Sequence, residues 1–250
     1  MNNLITKLAM TLMVSLLFSV GMVAQATEKL AESWVMTPKE GKSDDFRKAL
    51  KEHVAHRVTL QDPRKWKIYT PVLGDKLDRF IIRACCFEWK DQDQYMAWNK
   101  EKNPMQHWQK KADKLVHSYA HHLSTVDSEN SHWPADLSYS YVGVTNMQVK
   151  AGHWSAMKAD LATMSSIAKT HNWPYHWGWT YSVGGPRSVS LVIPYNNYAD
   201  MAPPEQKFSE LLVKHFGDKD KAQAFMQGWS DHFDTNEYQI YRLNTELSMM

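Results

Sequence analysis

The sequence predicts an α+β fold in which one unit, with the element order βαββαβ, occurs twice. Residues 36–82 align without a gap to residues 147–193 at a shift of 111 positions, and ten of the 47 aligned pairs are identical. This is roughly a fifth, against about 6% for unrelated residues of average composition. A second match joins residues 105–108 to residues 226–229 at a shift of 121. Because duplicated units usually stack and share a buried surface, we expect the two copies to pack together.

The first unit is predicted to span residues 27–126. Its first helix begins at Ser43, because serine is a preferred N-cap residue and two acidic residues follow it. Apolar residues then recur at every fourth position, which is typical of one helical face. The predicted elements, in order, are a strand (32–36), this helix (43–61), a hairpin (66–89), a helical segment broken near Asn103-Pro104 (91–116) and a last strand (117–126).

The second unit is predicted to span residues 138–250, after a polar, turn-rich linker over residues 127–137. It repeats the element order of the first unit, with a helix break near Gly217. Its predicted elements are a strand (139–147), a helix (154–169), a hairpin (177–194), two helical segments (203–216 and 219–232) and a last strand (237–247).

Residues 1–26 are predicted to be a cleaved signal peptide. Lys7 supplies the positive charge, residues 8–23 are mostly apolar, and Ala-Gln-Ala at residues 24–26 is a small-x-small cleavage site. The alternative is an uncleaved membrane anchor, but the apolar run of about 16 residues is shorter than the roughly 20 needed to span a bilayer. We therefore expect a periplasmic or secreted protein with no membrane contact after cleavage.

Composition argues against a nucleic-acid partner and leaves two interpretations of the cysteines. The chain has 29 basic and 27 acidic residues without a basic block, so nucleic acid is a poor candidate for a partner. The two cysteines, Cys85 and Cys86, are adjacent, and the Cα–Cα separation of an ordinary disulfide exceeds that of neighbouring residues. We interpret them as two small strand residues, with a redox or thiol-ligand role as the alternative.

Two βαββαβ units in one chain resemble the dimeric α+β barrel superfamily of ferredoxin-like folds, fused here as a tandem. The resemblance lies in element order over residues 30–247 and carries no catalytic residue. It implies an intramolecular pseudo-dimer whose two sheets form a barrel with the helices outside. Members include cofactor-free monooxygenases, haem-degrading monooxygenases, haem peroxidases and small binding proteins, so the fold narrows function little. We predict no cofactor from the sequence, and haem is the cofactor that the resemblance keeps open.

Arg83 is predicted to look into the barrel. It shares one strand face with Arg79, Ile81 and Cys85, whereas Phe80, Ile82 and Ala84 form an apolar face for the helices. An arginine on an inward face is costly without a partner, so Arg83 is a candidate for binding an anion or a carboxylate. The alternatives are an exposed strand end or an acidic neighbour.

The densest aromatic stretch gives the second group of candidates. Trp177, Trp179 and Tyr181 share one strand face, and Trp66 occupies the matching position in the first unit. Such rings suit a flat or apolar ligand. The alternative is that they fill the core or the contact between the units.

Histidines supply the third group. His121 shares a face with His117 and Tyr119, and at a shift of 121 its position corresponds to Arg242. Both His121 and Arg242 are candidates for polar contacts with a ligand. Histidines can also bind a metal ion or haem iron, but no metal-binding spacing, phosphate loop or nucleophile motif is present.

The sequence therefore predicts an exported protein that binds a small, partly aromatic or apolar molecule in an aromatic-lined barrel pocket. One alternative is an oxygenase or haem-linked oxidoreductase, and another is a structural or assembly partner; self-association stays open. The predicted ligand-binding residues are Trp66, Arg83, His121, Trp177, Trp179, Tyr181 and Arg242.

Overall fold

The computed structural model describes residues 28–249, so the predicted signal peptide lies outside the described residues. The first unit consists of β1 (Lys29–Pro38), α1 (Ser43–Thr59), β2 (Trp66–Leu73), β3 (Phe80–Phe87), α2 (Trp89–Lys102), α3 (Pro104–Lys111), a 3₁₀ turn (Asp113–Leu115) and β4 (Val116–His132). The second consists of β5 (Tyr141–Val149), α4 (Trp154–Thr170), β6 (Trp177–Val183), β7 (Ser188–Tyr195), a 3₁₀ turn (Ala199–Met201), α5 (Phe208–Phe216), α6 (Lys219–Asp231) and β8 (Phe233–Leu243). Within this range, every helix is too short or too polar to cross a membrane.

Both predicted helix breaks are confirmed, and each has a local cause. Asn103 adopts a left-handed conformation (φ 46°) at the end of α2. Pro104 then begins α3, at a position where its missing N–H is not needed. Gly217 ends α5 with φ 65°, a conformation that costs glycine little. The Asp218 carboxylate caps α6 by accepting hydrogen bonds from two backbone N–H groups.

The eight strands close into one barrel in the order β1-β3-β2-β8-β5-β7-β6-β4. Each unit supplies four neighbouring strands in the ferredoxin-like arrangement. The units join where β2 pairs with β8, with Tyr69 opposite Leu243, and where β4 pairs with β6, with Leu123 opposite Val183. The predicted fold, two βαββαβ units forming an intramolecular α+β barrel, is confirmed.

The outer face of each half-barrel is covered by helices. In the first unit, Phe80 and Ile82 of β3 pack in one buried cluster with Phe46 and Leu50 of α1, as alternation along β3 predicts. In the second unit, a corresponding cluster joins the sheet to α4 and α6. These two apolar layers, and not the barrel interior, hold most of the large buried side chains.

The barrel interior has its own smaller cluster. Tyr69, Val142 and Tyr241, from three different strands, are each 7% exposed and lie together. Trp133 and Tyr139, which follow β4 in the chain, pack against them. Aromatic side chains therefore do occupy the interior, but they are not the ones that the sequence analysis selected.

The predicted linker begins later than expected. β4 continues to His132, beyond the predicted boundary at residue 126. Its pairing with β6 shifts register between Asp127 and His132. The Asp127 carboxylate holds this bulge by accepting hydrogen bonds from the Asn130 N–H at 3.0 Å and from the Tyr181 hydroxyl at 2.5 Å. Polar residues here stabilise a strand irregularity, and their polar, turn-rich pattern explains why the sequence predicts a linker.

Strand pairing corrects the counterpart of His121. Trp34 lies opposite His121 between β1 and β4, and Thr145 lies opposite Tyr238 between β5 and β8. Because Trp34 and Thr145 are related by the shift of 111, Tyr238 occupies the place of His121, and the predicted correspondence with Arg242 is wrong. The 3₁₀ turn before β4 adds residues in the first unit that the second unit lacks.

The β2–β3 hairpin is also longer than its copy. Ile68 lies opposite Ile82 in the first unit, and Trp179 lies opposite Leu191 in the second. Leu191, and not Ile193, is therefore the structural counterpart of Ile82. The ungapped alignment fails here because the β6–β7 turn is shorter by two residues.

We predict that Phe46→Ala lowers the free energy of unfolding by about 3–5 kcal/mol. Phe46 is fully buried and contacts the rings of Phe80 and Trp108, so truncation leaves a cavity between α1 and the sheet. Val58→Ala on the same helix, where Val58 is 57% exposed, should change stability by about 0.5 kcal/mol or less. Urea unfolding measures both; equal losses would contradict this view of the core.

Candidate functional site

The predicted aromatic residues lie between the sheet and the helices. Trp177, Trp179 and Tyr181 belong to the buried cluster that contains Met157 and Leu161 of α4. Their expected position on the barrel interior is therefore wrong. They do share one face, but that face points toward the helices.

Trp66 has the same orientation in the first unit. It packs in the cluster around α1 and donates a hydrogen bond from Nε1 to Asp62 Oδ2 at 3.1 Å. Arg242 is exposed and lies opposite Thr70 of β2. Two surface grooves of about 370 Å³ each flank α6. None of the predicted ligand-binding residues lines either groove.

Arg83 and His121 lie on opposite faces of the same sheet. Arg83 pairs across β1 with Ser33, and His121 pairs with Trp34. Since Ser33 and Trp34 are neighbours in one strand, their side chains point to opposite faces. The structure therefore separates the two polar residues that the sequence analysis assigned to one pocket, and it defines two candidate sites.

The first site is at Arg83, on the interior face as predicted. Its Nη1 donates to Ser33 Oγ at 3.1 Å. Burial lowers the pKa of the Arg83 guanidinium, and the neighbouring Tyr69 and Tyr139 partly offset this effect. The hydroxyls of those two tyrosines are 2.8 Å apart. Within residues 28–249, no ion pair joins Arg83 to a carboxylate.

A second cation stands beside Arg83. Lys67 of β2 lies directly opposite Arg83, on the same face and at the exposed end of the interior. Its Nζ is 3.4 Å from the Tyr139 hydroxyl and 5.1 Å from the centre of that ring. Like charges directly opposite each other destabilise a sheet. This end of the barrel is therefore positively charged without compensation from a paired carboxylate in the described chain.

Arg79 extends the positive interior toward the other end of β3. It donates from Nη2 to Gln239 and, at 3.3 Å, to the Tyr241 hydroxyl. Its buried Nε has no hydrogen-bond partner among the described residues. Sequence reasoning placed Arg79 on this face but missed Tyr69 and Tyr139. Alternation of Tyr69 with Ile68 was the available signal, whereas nothing local indicated Tyr139.

The second site is at His121, on the helix side of the sheet. Glu32 is 4% exposed, and its Oε1 accepts hydrogen bonds from His121 Nε2 at 2.8 Å and from Trp34 Nε1 at 3.2 Å. The His121 imidazole stacks on the Trp34 indole, with ring centres 3.9 Å apart and planes 10° from parallel. The His121 side chain nevertheless stays 43% exposed. A buried carboxylate thus orients an accessible imidazole.

Arg64 fixes the carboxylate from the other side. It forms an ion pair with Glu32 Oε2 and is 6% exposed. Its guanidinium lies over the rings of Phe87 and Tyr95, at 3.9 and 3.8 Å from their centres. Burial lowers the pKa of Arg64, and partial burial together with Arg64 lowers the pKa of His121. Sequence reasoning missed Glu32 and Arg64, because their contact with His121 depends on strand pairing.

A third polar network anchors Trp66. His53 is 7% exposed and accepts a hydrogen bond at Nε2 from Arg57 Nε at 3.1 Å. Arg57 also pairs with Asp62 at 2.6 Å, and the same Asp62 oxygen accepts from Trp66. Burial, followed by the charges of Arg57, His107 and His56, lowers the pKa of His53 to about 3. This histidine is a neutral structural acceptor.

The described residues offer no ready metal site. No group of three or more His, Cys, Asp or Glu residues within 28–249 is placed to hold a metal ion. Several histidines pair with one another, as His153 does with His232 at 3.1 Å. Cys85 and Cys86 are joined in a disulfide, contrary to the expectation from sequence.

Comparison with known proteins supports the architecture. No family model and no curated protein sequence matches the chain. Among solved structures, a "putative monooxygenase" from Lactobacillus acidophilus NCFM has a TM-score of 0.54 at 7% identity, covering 88% of this chain and 98% of its own. One from Fusobacterium nucleatum gives 0.52 at 9%, covering 87% and 93%. A mutant chlorite dismutase from Candidatus Nitrospira defluvii gives 0.53 at 8%, covering 87% and 92%. The chain therefore has the dimeric α+β barrel fold, and at these identities the likeness shows the fold alone.

We predict that stability falls as the pH drops from about 6.5 toward 3. The unfolded chain protonates His53 below its ordinary pKa of 6.5, whereas the folded protein keeps it neutral down to about 3. Each pH unit in this window should cost about 1.4 kcal/mol.

Urea unfolding at a series of pH values tests this. His53→Gln keeps an acceptor for Arg57 but cannot titrate, so its stability should depend less on pH. His117→Gln, at an exposed position, should follow the wild type. A His53→Gln profile as steep as that of the wild type would contradict the assignment.

Proposed function

We propose that this protein binds a small organic anion, such as a carboxylate, at the Arg83 end of the barrel. One observation carries the proposal: Lys67 and Arg83 lie side by side on the interior face of the sheet, without a paired carboxylate among the described residues. An anion between them would form two charge-assisted hydrogen bonds, one with each cation. The guanidinium supplies planar, bidentate recognition, and the ammonium supplies a point charge.

The surroundings suit an anion that carries an apolar or aromatic body. Tyr69 and Tyr139 lie next to the cations, and Trp133 packs edge-on against Tyr139 in the interior cluster. Tyrosine and tryptophan offer ring faces for stacking and a polar tip for hydrogen bonding. The proposed site therefore combines anion recognition with ring surface, and its aromatic residues differ from those predicted from the sequence.

Comparison with the second unit supports a functional role for the charges of Lys67 and Arg83. Val192 lies opposite Gly178 and Val144, as Arg83 lies opposite Lys67 and Ser33. The structural counterparts of both cations are thus uncharged. Because one half of the barrel is built without the charges, folding does not require them, and only one copy would keep the site.

We predict that benzoate raises the Tm of the wild-type protein and that Arg83→Met and Lys67→Met abolish the rise. At a tenfold excess over Kd, ligand binding adds about 1.4 kcal/mol, which corresponds to roughly 3–6 °C for a protein of this size. Benzamide, the neutral analogue, should give a much smaller shift. Arg242→Met removes a cation from the outer face and serves as the matched control.

Without ligand, Lys67→Met should leave the protein at least as stable at low salt, because it removes a cation directly opposite Arg83 in the sheet. Differential scanning at two salt concentrations measures this. Equal benzoate shifts in all four proteins would place the anion elsewhere. The absence of any shift with benzoate would favour the alternative of a structural or assembly partner.

An oxygenase or haem-linked oxidoreductase is the second candidate, because the similar solved structures carry monooxygenase and chlorite dismutase names. The residues present do not fit a haem. Aromatic and aliphatic side chains fill the layers between sheet and helices in both units, where a flat porphyrin would have to lie. This leaves the cofactor-free form of the hypothesis.

We predict that added haem produces no Soret band characteristic of histidine ligation. Titration of the purified protein followed by absorbance measures this, with His121→Ala as the comparison. A band that appears in the wild type and weakens in His121→Ala would contradict this prediction and support the haem-linked hypothesis. A band of equal strength in both proteins would indicate binding that does not use His121.

A further inference from the structure

The Glu32–His121 pair depends on buried charges, whose desolvation costs free energy, and this indicates a role beyond stability. Glu32 and Arg64 are both more than nine-tenths buried. Burying an ion pair usually offers little net stability, because desolvation offsets the attraction. In this protein, the buried carboxylate of the pair holds a half-exposed imidazole in one orientation. Such an orientation is the usual requirement for a histidine that transfers protons.

The second unit shows that the fold forms without this network. Glu32 and His121 are replaced by Gly143 and Tyr238 at the equivalent paired positions. The Tyr238 hydroxyl lies over Gly143 so closely that an added Cβ would stand 2.3 Å from it. Trp34 is replaced by Thr145 in the same way. The second copy has filled the place where the first keeps a buried carboxylate and an accessible imidazole.

We propose that Glu32 and His121 form a general-base site on the helix side of the first unit, which takes a proton from a flat, weakly acidic aromatic molecule. The second unit folds without such a site, and the proposal does not rest on anion binding inside the barrel. His121 would be the catalytic base and Glu32 a positioning residue.

The hydrogen bonds assign the proton positions. Glu32 Oε1 accepts from Nε2, so Nε2 carries the hydrogen and Nδ1 carries the lone pair of the neutral imidazole. Nδ1 takes the proton from a C–H or O–H of the substrate, and the bonding electron pair stays on the substrate as its anion. The Glu32 carboxylate stabilises the resulting imidazolium, as the orienting carboxylate of a histidine does in other proton-transfer sites. The lowered pKa of His121 keeps it neutral near pH 7.

The neighbouring surface indicates the substrate class. Tyr119 lies two residues before His121 on the same strand face, about 7 Å away along the strand, and is 43% exposed. Its hydroxyl donates to Asp113 at 2.6 Å and accepts from Trp108 Nε1 at 2.9 Å, so the ring is held in place. A fixed, exposed ring beside the base suits a flat aromatic molecule that stacks on it.

The experiment uses 5-nitrobenzisoxazole, a flat aromatic probe that reports proton removal from carbon. Loss of the C3 proton to a base converts its C–H electrons into the nitrile bond and breaks the ring N–O bond. The product is a coloured phenolate. We expect the full-length protein to accelerate this reaction with a rate that rises with pH and then levels off, as one titrating base requires.

His121→Ala should lower the rate about tenfold or more, since positioned bases typically contribute at least that much. His117→Ala, on the same strand and also exposed but unpaired with β1, is the matched control and should leave the rate unchanged. Both positions are exposed, so both variants should fold.

Glu32 needs a second design, because its loss alone leaves Arg64 buried without its partner. The double variant Glu32→Met with Arg64→Met removes both charges. It should keep a slow reaction whose midpoint pH is lower than that of the wild type, because the lost carboxylate contacts the imidazole directly, whereas the lost Arg64 charge acts from beyond that carboxylate. Equal rates in wild type, His121→Ala and His117→Ala would overturn the proposal. A pH profile that the double variant leaves unchanged would overturn the role of Glu32.

Discussion

Closure of the barrel through the β2–β8 and β4–β6 pairings is the constraint on which the other features depend. It joins two units that would otherwise each expose one face of a sheet. Each strand then has an interior face and a face on the helix side, and both are largely sheltered from water except along parts of β4 and β8. A polar side chain on either face must therefore find a partner or remain a candidate for binding. Arg83 is a candidate because it has no paired carboxylate on the interior face among the described residues. His121 is a candidate because a buried carboxylate orients it on the helix side.

Differences between the two copies distinguish residues needed for folding from candidate functional residues more directly than burial does. The two units share strand order, helix placement and an apolar layer under the helices. They differ where polar residues occur: Lys67 and Arg83 against Gly178 and Val192 inside, and Glu32 and His121 against Gly143 and Tyr238 outside. The second copy serves as an internal control for the first. Features found in both copies are needed for the fold, and polar features found in one copy that leave an exposed or unpaired group are candidates for function.

The sequence predicted the fold well because repeats, prolines and glycines act locally. The order of elements, the breaks at Pro104 and Gly217, and the face of Arg83 follow from such signals. The period of two along β6 showed that Trp177 and Trp179 share a face, but both faces of a barrel strand are sheltered, so it could not show which one meets the helices. The Glu32–His121 contact joins residues 89 positions apart. It follows from the register of β1 against β4, which no local pattern specifies.

The position of the two sites argues against a single ligand that contacts both. Ser33 and Trp34, the β1 residues opposite Arg83 and His121, are adjacent in the chain, yet the sheet backbone lies between their side chains. A molecule bound to Arg83 lies inside the barrel, and one that reaches His121 approaches from the helix side. Substitutions at the two sites share no hydrogen-bond partner, so their effects on stability should add. Coupling between the sites would require β1 itself to shift, and β1 is hydrogen-bonded on both edges along most of its length. In the first unit, β1 thus supports two independent candidate sites, one on each face of the sheet, and does not form one wall of a common cavity.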